Sequence, residues 1–308
     1  MHRLALASCL LPVFFLAGCD IEDWGDSSRY KEPFTYNGVM KPGARLFVET
    51  FNGGIDVLGW DRDAVEITGE KHAATEELLK VVKIDLSAQP DSVRLRVIRP
   101  SEWRGNYGAH FTLRVPKRVV VDRLETSNGP VRVESLESSL RLKTSNGPIS
   151  LWQVKGDVEA TTSNSSIELT QFEGAANLHT SNGRIRAEGV RGAFEAETSN
   201  STIDANITEL RPGKTLRLKS TNGTVTASLE KWNDNDIYAD TSNSSINLRL
   251  PPGVNARVKA DTSNGSITTD QEINVTEKGK HHLEGTLGHG GASITLDTSN
   301  GNIRLLQR

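Results

Sequence analysis

Residues 140–151 read LRLKTSNGPISL, residues 158–169 read VEATTSNSSIEL, and residues 176–187 read ANLHTSNGRIRA. The three align without a gap at an offset of 18 residues, and each sets a Thr-Ser-Asn-Gly or Thr-Ser-Asn-Ser tetrapeptide between two short apolar/polar alternations. Aliphatic residues fall six and four positions before the Asn and three and five after it. Leu140, Leu142, Ile149 and Leu151 show the pattern around Asn146, and Val158, Ala160, Ile167 and Leu169 repeat it around Asn164. Period two is the mark of a strand with one buried face. Each unit therefore holds two short strands meeting at a corner, where Gly turns the chain without steric cost.

Working outward, the corner recurs at Asn128, Asn146, Asn164, Asn182, Asn200, Asn222, Asn243, Asn264 and Asn300, with an outlying copy, Thr50-Phe51-Asn52-Gly53, ahead of the series. The first four gaps are 18 residues, the next three are 22, 21 and 21, and the last is 36. A unit this short cannot bury its apolar face alone, so the units must stack, and the fold class is all-β: a parallel β-solenoid with coils of about 18 residues. Stacking at roughly 4.8 Å sets one Asn over another, each carboxamide donating to the next carbonyl. Counting back in twos from the Asn reaches the Thr and then the aliphatics, so Thr and Asn are expected to face inward and Ser outward. The nine asparagines are then a buried structural ladder. Outward neighbours should pair by sign, Arg141 with Glu159, and Glu195 and Glu197 with Arg217 and Lys219.

The repeat occupies residues 119–308. In residues 34–118 it is diluted: residues 46–57 resemble one coil, residues 75–80 a turn or two of helix, and residues 81–86, 92–98 and 110–115 longer strands. This region is expected to cap the N-terminal end of the stack. The last coil, residues 294–305, has no evident cap, and its open edge would be covered by a partner, by a second copy of the chain or by the loop before it. Insertions at residues 211–214, 231–236, 251–253 and 272–291 place loops on the stack. Trp103, Tyr107 and Trp232 lie in such segments; packing is their expected role, and contact with a glycan or protein the alternative.

Arg3 followed by the apolar run of residues 4–16 is too short to span a bilayer and reads as a signal peptide covering residues 1–18. It ends in Leu16-Ala17-Gly18-Cys19, which resembles a bacterial lipobox, and this implies lipidation of Cys19 and membrane attachment through the lipid. Asp20 occupies the position that in enteric sorting retains a lipoprotein at the inner membrane, pointing to the cell envelope and to its periplasmic inner face over the outer membrane. Residues 19–33 are acidic and aperiodic, a flexible tether. Cys9 falls in the removed segment, so no disulfide is available. The net charge of −3 becomes about −4 without Arg3, and no basic run invites nucleic acid.

No catalytic motif and no cofactor or metal signature emerges. His281, His282, Glu284 and His289 match no compact zinc spacing and read as a solvated hairpin. Glu168 and Asp204 share an outward column with Arg186 between them, which builds no carboxylate cluster of the kind a β-helical polysaccharide-active enzyme needs. The reading is a non-enzymatic structural, adhesive or protein-interaction module.

The recurring T-S-N-G-x-I pattern, the hexamer Phe111-Thr112-Leu113-Arg114-Val115-Pro116 and its echo Leu248-Arg249-Leu250-Pro251 resemble the bacterial putative-adhesin β-repeat family, also described as the toastrack fold. The resemblance covers residues 46–305. It implies a right-handed, single-stranded solenoid, membrane-tethered in many members, with adhesion proposed for some and scaffolding or sensing of envelope stress for others. It transfers no catalytic residue.

Overall fold

Each corner joins two strands that run parallel to their equivalents one coil away. In the Asn146 coil these are Leu140–Lys143 and Ile149–Lys155; Leu140 pairs with Val158 and Ile149 with Ile167, an offset of 18 in both. The computed structural model describes residues 29–99 and 105–308, so the leader, Cys19, Asp20 and Trp103 lie outside the described residues. Tyr30–Val39 is a strand paired antiparallel with Ala64–Ala73, so the segment read as a tether enters the sheet at its end.

A coil bends three times. The first bend is the Thr-Ser-Asn-Gly corner. The second is held by a left-handed residue, Ser135, Gln153, Gln171 or Gly189, at φ of 57°, 53°, 53° and 68°. The third falls on Gly156, Gly174 and Gly192, where an added Cβ would lie 2.3, 1.9 and 1.9 Å from a carbonyl oxygen of the coil beneath. Only glycine lets the coils approach there. Strands Ile167–Thr180 and Ile185–Thr198 run through the second and third bends without losing their pairing.

The core is a set of vertical columns along the stack. One column of the strand before the corner runs Leu142, Ala160, Leu178, Ala196, Leu218, Ala239, Leu296, Ala260, all buried. Large and small residues alternate, so each Leu fills the room left by the alanines above and below it, as close packing requires. Opposite it, after the corner, stand the β-branched residues Ile149, Ile167, Ile185, Ile203, Val225, Ile246 and Ile303.

That Leu/Ala column also exposes a departure from sequence order. Ala292–Thr298 lies between Ile237–Thr241 and Ala256–Thr262, and Ile303–Gln307 lies between Ile246–Leu250 and Ile267–Thr269. The coil expected at the open edge is therefore inside the stack, and the Asn264 coil is outermost. The segment before the last coil provides the cover: Ile273–Lys278 and His282–Leu287 form an antiparallel hairpin on Ala256–Thr262.

The other end repeats the device. The Asn52 coil, Arg45–Glu49 and Ile55–Trp60, is enclosed by Ser92–Ile98 and Tyr107–Pro116 on one side and by Val120–Glu125 and Val131–Glu134 on the other. Lys83–Gln89 and Ala64–Ala73 then cover the outermost coil antiparallel. The short helix Glu76–Val81 starts at Thr75, whose hydroxyl accepts from Leu78 N (3.2 Å), and it buries Leu78 and Leu79.

Candidate functional site

At the corner the structure separates two polar columns that the alternation had placed together. The Thr is buried in coil after coil, and its Oγ1 donates to the Gly- or Ser-position carbonyl of the adjacent coil at 2.8–3.1 Å, with Ser220 standing in for Thr. The same hydroxyl accepts from the corner glycine: Gly147 N donates to Thr144 Oγ1 at 3.2 Å and Gly183 N to Thr180 Oγ1 at 3.2 Å. The buried hydroxyls are thus satisfied as donor and as acceptor.

The asparagines stack as a ladder, but outside. From Asn128 through Asn300 they are exposed, and only Asn52 is half-buried. Strand parity stops at the Thr: Ser145 N and Asn146 N both donate to Ser127 O, at 3.2 and 2.9 Å, so Ser and Asn belong to the turn itself and glycine takes the inward place. In spatial order the ladder runs Asn264, Asn300, Asn243, Asn222, Asn200, Asn182, Asn164, Asn146, Asn128, Asn52. Each Nδ2 donates to the next Oδ1 at 2.5–2.8 Å, and Asn52 ends on Tyr107 O at 2.9 Å.

Of the aromatics read from the loops, Tyr107 is buried against Phe51, with ring centroids 5.4 Å apart, and Trp232 packs half-buried with its Nε1 donating to Asp234 at 3.0 Å. Among the described residues Tyr30, at the start of the first strand, is 41% exposed, and the aromatic most open to solvent is Trp152, 44% exposed. It lies between Glu134 and Thr170 on adjacent coils and lines a groove of about 520 Å³ with Asp56, Leu58, Arg132 and Glu168. Its outward parity, one step after inward Leu151, was the signal available in the sequence. Beside it, around the second bend, Gln153 Nε2 donates to Gln171 Oε1 at 3.1 Å in a second groove of about 520 Å³, where the left-handed backbone of Ser135, Gln153 and Gln171 stores strain.

Outward charges pair across coils. Arg141 meets Glu159 at 3.0 Å, Arg132 meets Asp56 at 3.3 Å, Arg184 meets Asp204 at 2.7 Å, and Arg217 and Lys219 meet Glu195 and Glu197 at 3.6 and 3.9 Å. One column breaks the rule near the C-terminal end, where Asp240, Asp297 and Asp261 stack on successive coils and His282 follows in register. Burial and then the Asp297 charge raise the pKa of Asp240. The His282 imidazole is also shifted up, chiefly by its hydrogen bond to Asp261. Of the remaining cluster residues, Glu284 lies beside His282, His281 Nδ1 sits 2.9 Å from Gly265 O, and His289 lies on the turn beyond the far end of the strand, its N–H on Asn255 Oδ1 at 2.8 Å.

The toastrack family model DUF4097 matches residues 63–306, and the chain belongs to that family. No curated protein matches it. Among solved structures it is similar to a putative adhesin from Bacteroides fragilis, at 13% identity over 90% of this chain and 97% of that one, TM-score 0.40. It is also similar to a putative cell adhesion protein from Clostridium sporogenes, at 12% identity over 90% and 100%, TM-score 0.26, and to a putative lipid binding protein from Parabacteroides distasonis, at 10% identity over 89% and 96%, TM-score 0.24. These likenesses are distant, and the family model carries the assignment.

Proposed function

We propose that this protein is a lipid-anchored module of the cell envelope that binds another envelope component, protein or glycan, through an outer face of the solenoid and catalyses no reaction. The observation that carries the reading is Trp152. A large indole, 44% exposed, stands on a regular strand inside the stack, in a column whose neighbours Glu134, Thr170 and Glu188 are polar. Packing does not account for it, and an aromatic anchor beside a groove with charged walls is the chemistry of a binding hot spot. The strained second bend next to it supports the same face. The outward charges that pair across coils agree with a surface built to stabilise the stack and to bind.

The test is a photo-crosslinking residue at position 152 in the native cell, with position 268 as the control. One dominant adduct at 152, absent at 268, is expected. The Trp152→Ser protein should keep its stability within about 0.5 kcal/mol and lose retention of that partner. Equal labelling at both positions, or retention unaffected by Trp152→Ser, would overturn the reading. Cys19→Ser should release the protein from the membrane fraction, and continued sedimentation with membranes would remove the lipid anchor from it.

A further inference from the structure

The hairpin that covers the C-terminal end is thinly held. Along Ile273–Lys278 only Ile273 is even half-buried, and Val275 is 50% exposed. Its two strands also oppose like charges: Glu277 pairs in register with Glu284. Two carboxylates directly opposite each other destabilise a ladder, and among the described residues neither has a Lys or Arg within ion-pair distance. Lys259, which lies opposite Glu284, turns to Asp261 instead, at 3.9 Å.

His282 lies beside the two carboxylates. Its Nδ1 is 2.5 Å from Asp261 Oδ1 on the outermost coil, and its Nε2 points toward Glu284, 3.8 Å from Oε2. One donor atom each from Glu277, His282 and Glu284 lies within 4.8 Å of the others. A carboxylate on one imidazole nitrogen fixes the ring and leaves the other nitrogen as a ligand, the arrangement that orients histidines at metal centres. A transition-metal ion about 2 Å from each donor brings them to roughly 3.4 Å apart, a closure that exposed glutamate side chains can make by rotamer change alone.

We propose that Glu277, His282 Nε2 and Glu284 bind a divalent transition-metal ion, with Asp261 as the positioning residue, and that the ion clamps the terminal hairpin to the Asn264 coil. One imidazole with two carboxylates suits zinc or manganese better than calcium, which takes an all-oxygen shell of six to eight ligands. The ion cancels the Glu277–Glu284 repulsion and links both hairpin strands, through His282 and Asp261, to the last parallel coil. The inference is independent of the binding face around Trp152, which lies several coils away along the stack.

The experiment is calorimetric titration of the full chain, stripped of metal, with Zn²⁺ alone, and with Ca²⁺ as a second probe, followed by amide exchange of the hairpin. Expected are one zinc ion per chain with a micromolar or tighter constant, no comparable calcium uptake, and slower exchange over residues 273–287 when zinc is present. Asp261→Asn should weaken zinc binding about tenfold or more, and Glu277→Gln should do the same while leaving the parallel coils folded. Asn264→Ala on the same coil should leave the affinity unchanged. No saturable uptake, or uptake that His282→Ala and Glu277→Gln both leave intact, would overturn the proposal. Should His282→Ala loosen the hairpin before zinc is added, the Glu277→Gln titration decides alone.

Discussion

The two ends of the stack solve one problem with unequal means. At both, the coil that comes last in space is not the one that comes last in sequence, so the coil nearest each chain end is paired on both sides. At the N-terminal end Phe111 and Leu113 of the outer coil and Val65 and Ile67 of the antiparallel strand Ala64–Ala73 are fully buried, Ile84, Leu86 and Ala88 of the second covering strand are half-buried, and Phe34 meets Phe111 edge-on at 6.0 Å. At the C-terminal end one exposed hairpin contributes Leu283 and Leu287, with Ile273 half-buried against them. Enclosing a terminal coil removes a fraying edge. How firmly the enclosure holds depends on the apolar area behind it, and that differs sharply between the ends.

The largest expected effect tests this inequality. Phe111→Ala should cost about 3–5 kcal/mol in urea unfolding, because the cavity lies between two closely packed layers that cannot collapse into it. Leu283→Ala should cost about 2 kcal/mol, since the hairpin can settle, and most of the change should appear as faster amide exchange over residues 273–287 with the central coils still protected. Equal global losses from the two variants would show the C-terminal cap to be as integral to the fold as the N-terminal one.

A smaller effect sharpens how each end terminates the corner ladders. The N-terminal cap receives both: Thr50 Oγ1 donates to Ala109 O at 2.8 Å and Asn52 Nδ2 to Tyr107 O at 2.9 Å. At the other end Asn264 gives its Nδ2 to Asn300, while among the described residues no asparagine donates to its own Oδ1. Burial decides what each ladder contributes. Thr180→Val leaves Ser165 O and Gly183 N without their buried partner, a loss of about 1–3 kcal/mol. Asn182→Ala removes two ladder bonds that water can replace, at roughly 0.5–1 kcal/mol. If the asparagine variant proved the costlier by chemical denaturation, the exposed ladder and not the buried one would be holding the coils in register.

The coil length, the two strands per coil, the parallel stacking and the stacked asparagines were legible in the sequence, because each depends on a local pattern repeated many times. The direction of the asparagines was not: parity counting assumes extended backbone, and the chain leaves that conformation immediately after the Thr. Coil order departs from sequence order, and the sequence carries a signal for it. Read in sequence order, Leu218, Ala239, Ala260, Leu296 breaks the alternation of large and small residues; read with Leu296 between Ala239 and Ala260, it is restored. Trp152 is legible by parity, one step past the inward Leu151, although the aromatics of the loops stand out more by position. Glu277 could not be joined to His282 and Glu284 without knowing the hairpin register, which in a long loop of mixed polarity no short-range pattern sets.

The smallest effect concerns one column that both ends share, the outward residue just before the corner. Near the N-terminal end it reads Arg96, Glu49, Glu125, Lys143, with Glu49 bonded to Arg96 at 3.0 Å and Lys143 3.7 Å from Glu125, so charge is balanced. Near the C-terminal end it reads Asp240, Asp297, Asp261. Burial, then Asp297, holds the Asp240 carboxyl above its ordinary range. A raised folded value means that ionising this acid is harder in the folded chain than in the unfolded one. The penalty is absent where both states keep the proton, below the ordinary carboxylate range, and is complete once pH has passed the raised value. Asp240→Asn should therefore stabilise the protein by about 0.5 kcal/mol at neutral pH, measured by urea unfolding with chelator present, and the gain should fade on acidification. Glu49→Gln, which breaks an exposed ion pair, should instead cost roughly 0.3 kcal/mol at neutral pH. A neutral-pH loss from Asp240→Asn would mean that Asp240 is held by attraction, with Lys219 outweighing the two aspartates stacked beyond it, and the contrast between the two ends of this column would disappear.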